Sequence, residues 1–337
     1  MYLPGSYLPA LLLLVVCMLC WGSWANTQKL ARSLSFELFY WDYVLGTVLS
    51  SVAFGLTLGS TGDLANGLPF GASLSQAASH NLGLALFSGG LFSVANVLLV
   101  AAIAVAGMAV AFPVGIGLAL LVGTVGNYLV LPAGNPKLLF GGMTLVAVAI
   151  ALDASAYRRL AAAKPPAAQP ASARLGILLS LACGVLMGLF YPFFAKSLAG
   201  PGNLTPYSGF FVFSIGSIVG TVPVIAYLMR RPVRGKPVRA AQYFSMPGHW
   251  HLFGILGGVI WSVGTMFNFV VAAKPGLVGP AVSYSLGQGA TLVSALWGIF
   301  IWREFQGAGP QVQRRLALMF ACFLAGLASI AAAPLVP

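Results

Sequence analysis

The sequence predicts an all-α integral membrane protein with ten transmembrane helices, arranged as two inverted five-helix repeats. Only 7% of the 337 residues are charged and 59% are hydrophobic, a composition that a water-exposed surface does not tolerate. Because backbone polar groups in lipid must be satisfied internally, long apolar stretches are predicted to be helices, each of roughly 20 residues. Ten such stretches occur, at about 8–26, 37–59, 82–105, 108–130, 138–157, 175–195, 206–228, 251–272, 279–302 and 315–334.

Two segments about half a chain apart have similar sequences. Gly89-Gly90, Phe92-Ser93-Val94 and Gly107-Met108-Ala109 return as Gly257-Gly258, Trp261-Ser262-Val263 and Gly276-Leu277-Val278, an offset of 276 − 107 = 169. We infer a tandem duplication, with a first five-helix repeat at 1–158, a cytoplasmic Ala/Pro-rich linker at 159–174 and a second repeat at 175–337. Since each repeat has an odd number of spans, the second enters the bilayer upside down. Inverted repeats with a substrate site at their interface are a transporter architecture.

The positions of the basic residues predict the orientation. With the N-terminus outside, 14 of the 17 Lys and Arg residues fall in loops that face the cytoplasm, and the other face has only Lys137, Lys196 and Lys274. This excess predicts a multi-pass protein of the cell inner membrane with both termini external. The first apolar stretch is interpreted as a span and not as a signal peptide. Topology thereby explains the net charge of +12, and we expect no nucleic-acid partner.

The cysteines and histidines do not suggest a metal or redox site. Cys17 and Cys20 form a CxxC pair without a nearby His or further Cys, and the three histidines are scattered at the ends of spans. We therefore expect no metal and no cofactor. A nucleophile–base set is also missing from the predicted spans, so the chain is not expected to be an enzyme.

Two of the five acidic residues begin the second predicted span. Asp42 is more than a turn inside it and shares a helix face with Gly46 and Ser50, and Glu37 lies nearer the start. Because an acid inside a bilayer is expensive, both are candidates for a coupling site, for H+ or alternatively Na+. The competing interpretation is an interfacial or capping acid paired with a basic residue of the preceding loop, Lys29 or Arg32.

A combination of aromatic and polar residues on one helix face recurs in both repeats. Span 8 places Trp261, Thr265 and Asn268 on one face, and span 3 has Phe92 and Asn96 in the corresponding place. A flat ring can stack on a sugar or on a planar ureide or base, while amide and hydroxyl groups fix its orientation. The alternative is a packed aromatic beside an interhelical hydrogen bond.

Spans 9, 1 and 6 supply further candidates for substrate binding. Span 9 has Tyr284, Gln288 and Thr291 at i, i+4 and i+7, whereas span 4 has no polar side chains at the equivalent positions. Trp24 and Tyr191 each precede a lysine by five residues at the ends of spans 1 and 6. The two lysines are either gate contacts or anchors at the membrane surface.

Glycine and proline interrupt spans 4 and 9 at corresponding places. Span 4 has Pro113 and Gly115, and span 9 has Gly279 and Pro280. Such interruptions in both halves point to a substrate site or hinge. A proline in the first turn of a helix is the alternative, and it suits Pro280 better.

Several short motifs resemble those of a known family. Cys20-Trp21-Gly22-Ser23-Trp24-Ala25-Asn26-Thr27 and Glu37-Leu38-Phe39-Tyr40-Trp41-Asp42-Tyr43 are similar to the G-T-W-P and Y-L-D-Y regions of the ureide permease family. The segment 106–117 resembles the bacterial branch, which sits beside glucose/ribose porters in the drug/metabolite transporter superfamily. This resemblance implies a permease with ten spans in a five-plus-five layout. It does not extend to the large central loop of the plant members, because 158–174 is short.

The expected function is secondary active transport of a small, polar, mostly uncharged metabolite by alternating access. Sugars and ureides or oxo-nucleobases are the candidate substrates, and a proton is the expected coupling ion. The expected partners are the substrate and the lipid bilayer, with the protein a monomer or homodimer. Two alternatives stay open, an exporter of drugs or metabolites from the same superfamily and a membrane scaffold that does not transport.

Overall fold

The structure, a computed structural model, describes residues 1–31, 34–61, 67–106, 111–162, 173–233 and 236–336. Every regular element within these ranges is helical. The helices are α1 (Tyr7–Ser23), α2 (Ala25–Leu30), α3 (Phe36–Leu56), α4 (Phe70–Gln76), α5 (Ser79–Ala106), α6 (Gly117–Val130), α7 (Pro136–Ala162), α8 (Ala173–Ser197), α9 (Pro206–Arg230), α10 (Ala240–Phe244), α11 (Gly248–Ala272), α12 (Gly279–Gly287), α13 (Ala290–Leu296) and α14 (Pro310–Ala332). The π-helical turn Phe112–Ile116 precedes α6, and the π-helical turn Trp297–Ile301 follows α13.

Eight helical segments of the described chain are long and apolar enough to cross a membrane. They are α1 with α2, α5, α7, α8, α9, α11, α12 with α13, and α14. The apolar segment Val114–Val130 is shorter, and α3 has 21 residues but includes Glu37 and Asp42. The chain is therefore an all-helical membrane protein. Most of the predicted linker 159–174, and the predicted turn after Ala106, lie outside the described residues.

The membrane helices pack into two groups and one outer pair. In the first group α5 packs against α8 and α9, and α6 packs against α8. In the second group α11 packs against α1 and α3, and α13 packs against α1. The outer pair is α7 with α14. Each group contains helices from both halves of the chain, so the two groups are interleaved along the sequence.

Glycines allow the closest approaches within both groups. A Cβ atom on Gly89 would lie 1.9 Å from the carbonyl oxygen of Phe213, and one on Gly216 would lie 2.0 Å from that of Leu86. These two glycines let α5 and α9 touch backbone to backbone, as small residues do between membrane helices.

The pair α3 and α11 has the same kind of contact. A Cβ atom on Gly258 would lie 2.1 Å from the carbonyl oxygen of Tyr43, and one on Gly46 would lie 2.3 Å from that of Ile255. In each of the two helix pairs, one glycine from each helix faces a carbonyl group of the other. Because backbone atoms cannot move aside as a side chain can, these four positions do not accommodate a larger residue.

The contact at Gly89 can be tested by adding one methyl group. We expect Gly89→Ala to destabilise the protein by roughly 1–3 kcal/mol, because overpacking a close helix contact forces the backbones apart. Gly83→Ala is the matched control, since Gly83 lies on the same helix with nothing within 4 Å of its added Cβ. Thermal unfolding in detergent should show a lower midpoint for Gly89→Ala alone. Equal midpoints for the two variants would contradict the close approach of α5 and α9.

Candidate functional site

A cavity of about 470 Å³ lies between the two helix groups. This volume is in the range of roughly 300–1,000 Å³ that small-molecule sites occupy. One wall comes from α1, α11 and α13, and the other from α5, α8 and the π turn before α6. Seven of the ten residues predicted to bind substrate line it, namely Trp24, Phe92, Asn96, Trp261, Tyr284, Gln288 and Thr291.

Aromatic rings form much of the cavity wall. Trp261 stacks on Phe92 with ring centroids 4.5 Å apart, which joins α11 of one group to α5 of the other. Trp21 lies nearly parallel to Trp261, with centroids 6.4 Å apart and planes 12° apart. Trp297 adds another indole from the π turn after α13. The sequence predicted Phe92 and Trp261 as equivalent substrate-binding residues of the two repeats but not their stacking on each other, and it missed Trp21 and Trp297 as cavity residues.

The indole N–H groups of the two missed tryptophans are already used within the protein. Trp21 Nε1 donates to Thr265 Oγ1 at 2.9 Å, and Trp297 Nε1 donates to Ser23 Oγ at 2.8 Å. Thr265 thus lies behind the wall and positions a ring that lines the cavity. These bonds fix the rings and leave their apolar surfaces facing the cavity.

The polar part of the cavity is built from a few side chains. Gln288 lies between α12 and α13, where the helix is interrupted and the Thr291 amide bonds to the Gln288 carbonyl at 3.1 Å. Within the described chain the side-chain amide of Gln288 has no hydrogen-bond partner. Asn96 donates to the Tyr40 hydroxyl at 3.2 Å. Gln288 is therefore an amide with both its donor and its acceptor available to a solute.

Asn268 and Tyr191 form a buried network and do not line the cavity. The Tyr191 hydroxyl donates to Asn268 Oδ1. Asn268 Nδ2 donates to the Ser283 carbonyl oxygen at 3.0 Å, and Ser283 Oγ donates to the Asn268 carbonyl oxygen at 2.9 Å. All three residues are fully buried. The network ties α8, α11 and α12 together behind the cavity wall.

Asp42 is 1% exposed and lies outside the cavity lining. The Tyr243 hydroxyl donates to its Oδ1 at 2.5 Å, and His251 Nδ1 lies 2.9 Å from its Oδ2. Tyr243 belongs to α10, outside the spans. Burial, followed by the Asp42 carboxylate, raises the pKa of Tyr243, so its hydroxyl keeps the proton that it donates. Sequence reasoning missed both partners, since they lie about 200 residues away along the chain.

The remaining acids occupy other places. Lys29, a suggested partner of Asp42, lies 2.9 Å from Glu304 Oε1 instead, and Arg32 lies outside the described residues. Glu37 and Lys236 line a second cavity of about 330 Å³ near α3, α5 and α9. Within the described residues no three His, Cys, Asp or Glu side chains are grouped so that they could hold a metal.

The four predicted hinge residues lie at irregular points of the helices. Pro113 and Gly115 fall in the π turn Phe112–Ile116. Gly279 has a φ of +79°, a backbone conformation that favours glycine, and Pro280 is in the first turn of α12. The residues that line the main cavity include Ile116 but not Gly115, Gly279 or Pro280.

Comparisons with known proteins give consistent matches. A family model described as "Sugar transport protein" matches residues 12–312. Ureide permease 1 of Arabidopsis thaliana is 22% identical over an alignment of 393 positions, gaps included, which covers 98% of each chain. Glucose uptake protein GlcU of Bacillus subtilis (strain 168) is 32% identical over 136 residues, 40% of this chain and 39% of that one. A crystal structure aligns over 96% of each chain at 17% identity with a TM-score of 0.60, which shows a shared fold. The resemblance inferred from the motifs is confirmed.

Two amides near the cavity are expected to respond differently to mutation. Asn268→Ala leaves the Tyr191 hydroxyl without its buried acceptor, so we expect it to cost roughly 1–3 kcal/mol of stability. Gln288→Ala removes a side chain with no partner in the described chain, so its thermal unfolding midpoint in detergent should match that of the unmodified protein. If Gln288→Ala is destabilised as much as Asn268→Ala, the distinction between a structural amide and a free one is wrong.

Proposed function

Because the chain belongs to the sugar transport protein family, we propose that it is a proton-coupled secondary transporter that carries a small, polar, mostly uncharged metabolite by alternating access. The proposed substrate is a sugar, or alternatively a ureide or oxo-nucleobase. One relative is named for glucose and another for ureides. The observation that carries the proposal is the cavity itself. It offers fixed aromatic faces on both sides and one free amide at a helix interruption, Gln288.

The charge of the cavity favours an uncharged substrate. Among the described residues, the charged side chains that line it are Lys29 and Glu304, and they pair with each other at 2.9 Å. A phosphate ester would need unpaired basic groups near the substrate, and a cationic drug would be favoured by an unpaired acid. An exporter of cationic compounds from the same superfamily is therefore the weaker alternative.

We also propose ten spans in two inverted repeats. The two spans added to the eight described above are α3, which includes two acids, and α6, which is shorter. The glycine contacts support this proposal. Gly89 against Phe213 corresponds to Gly258 against Tyr43 when the two halves are exchanged, with offsets of 258 − 89 = 169 and 213 − 43 = 170. Gly216 against Leu86 corresponds in the same way to Gly46 against Ile255. A duplication that places each half in the environment of the other accounts for this repetition.

The packing of whole helices follows the same exchange. The pairs α5–α8 and α5–α9 correspond to α11–α1 and α11–α3, and α6–α8 corresponds to α13–α1. The pairs α7–α14 and α3–α9 correspond to themselves. Together with the basic residues of the loops, this arrangement supports external termini in an inner membrane. In this scheme the moving parts are the two helix groups on either side of the cavity.

Exchange measurements in proteoliposomes test the substrate class. With radiolabelled D-glucose, allantoin and uracil as probes, we expect counterflow of at least one at equal pH on both sides. Gln288→Ala should weaken the apparent affinity for the exchanged probe by roughly three- to tenfold, because one or two hydrogen bonds are lost. Gln76→Ala, on an exposed face of α4, is the control and should behave as the unmodified protein. Absence of exchange and of thermal stabilisation by all three probes would contradict the proposed substrates.

Coupling is proposed to involve Asp42, the buried carboxylate held by Tyr243 and His251. An acid in a low-dielectric site with a histidine beside it can take up and release a proton during a cycle. We expect Asp42→Asn to abolish accumulation driven by a pH gradient while it preserves counterflow of the same probe. Accumulation by Asp42→Asn at the level of the unmodified protein, still sensitive to a protonophore, would place the coupling proton elsewhere.

A further inference from the structure

Charged side chains gather at the solvent-accessible end of the cavity. Glu304, in the turn after the second π helix, lies 2.9 Å from Lys29 Nζ through Oε1 and accepts a hydrogen bond from the Tyr157 hydroxyl at 2.5 Å through Oε2. All three side chains line the cavity. Lys29 also lies over the ring of Trp302, 4.9 Å from its centroid. One carboxylate thus joins α2 and α7 to the segment that follows α13.

A second acid lies directly behind this group. Asp153 precedes Tyr157 by one turn of α7 and therefore shares its helix face. Its side chain is 6% exposed, and one carboxylate oxygen is buried with no hydrogen-bond donor among the described residues. The Asp153 and Glu304 carboxylates are close enough to repel each other, and both are close to the Tyr157 hydroxyl. A buried carboxylate without a donor is costly in its charged form.

Several described basic side chains lie on the elements around the two acids. Lys29 pairs with Glu304. Arg315 donates to Ser155, Arg159 donates to Gln311, and Arg158, Arg303 and Arg314 are exposed. A proton on either acid would remove the repulsion between the two carboxylates.

We propose that Asp153, Tyr157 and Glu304 form a proton-binding site at the end of the substrate cavity, separate from Asp42. A hydronium ion in the cavity water transfers its proton to one carboxylate oxygen: an O–H bond of hydronium breaks, the O–H bond of a carboxylic acid forms, and a water molecule remains. Tyr157 keeps its own proton and continues to donate its hydrogen bond. No other bond is formed or broken.

The position of the site gives protonation a mechanical consequence. Lys29 and Glu304 belong to the helix group of α1 and α13, whereas Asp153 and Tyr157 belong to α7 of the outer pair. A proton on Glu304 removes the negative charge that holds Lys29, and it weakens the hydrogen bond that Glu304 accepts from Tyr157, which is the contact between these two parts. This consequence rests on the proposed transport function, while proton binding itself does not.

Labelling with a fluorescent hydrophobic carbodiimide tests the site, because this reagent reacts with protonated carboxylic acids in apolar surroundings. The full-length protein in detergent is labelled between pH 5.5 and 8.5, and the modified peptides are located by mass spectrometry. We expect label on Asp153 or Glu304 that increases at least threefold from the highest to the lowest pH. The Asp42→Asn variant should keep this signal, and the double variant Asp153→Asn with Glu304→Gln should lose it.

Tyr157→Phe provides a milder variant, since the ring can keep its contact with Phe305, at 4.8 Å between centroids. Losing the hydroxyl removes a donor that stabilises the charged form of Glu304, so labelling should extend to higher pH. Label confined to Asp42, label on Asp153 and Glu304 that ignores pH, or a Tyr157→Phe profile equal to that of the unmodified protein would each overturn the proposal. Since no substrate is needed, failed labelling is distinguishable from failed counterflow.

Discussion

In the apolar interior of a membrane, a polar side chain must find its hydrogen-bond partner within the protein, because lipid provides none. The helix packing follows from this constraint. Hydroxyl groups pair across helices, as Ser93 with Thr221 at 2.6 Å between α5 and α9, and Thr124 with Ser285 at 2.8 Å between α6 and α12. Glycines bring the same helices together at their backbones. A polar group that remains without a partner under this constraint is either exposed to water or a ligand, or buried at a cost in free energy, as one Asp153 carboxylate oxygen is.

The two helix groups explain how a duplicated chain encloses one cavity. If each half of the chain packed only on itself, the two halves would form separate helix bundles with a flat interface between them. Here α5 of the first half packs on α8 and α9 of the second, and α11 of the second packs on α1 and α3 of the first. The surfaces that face each other across the cavity thus come from both halves, which allows Trp261 of one group to stack on Phe92 of the other.

Sequence patterns were informative wherever they reflected local geometry. The helical membrane fold is confirmed, and seven of ten candidate residues line one cavity. The i, i+4 and i+7 positions Tyr284, Gln288 and Thr291 line it together, as a shared helix face allows. The same spacing did not hold for span 8, where Trp261 lines the cavity and Thr265 and Asn268 lie behind its wall. Spacing could not separate Gln288 from Asn268, since both are amides within apolar stretches. Only contacts in the folded protein distinguish the two residues. Ser283 and Tyr191 hydrogen-bond to the side chain of Asn268, whereas the Gln288 amide lies at a helix interruption and has no partner among the described residues. The charge pairs could not be predicted from local spacing either, because their members are far apart in the sequence. Asp42 and His251 are separated by 209 positions, and Lys29 and Glu304 by 275.

Recognition and coupling are therefore separated in space in the scheme proposed here. The cavity keeps its aromatic and amide surface free of unbalanced charge, because Lys29 compensates Glu304 at its end. The titratable groups lie where helix groups meet other elements, Asp42 with Tyr243 of α10 and Glu304 with Tyr157 of α7. A proton at either place changes a contact between parts of the protein and leaves the surface that stacks on the substrate unchanged. Such an arrangement lets a neutral solute be moved by a proton gradient without direct contact between the proton and the solute.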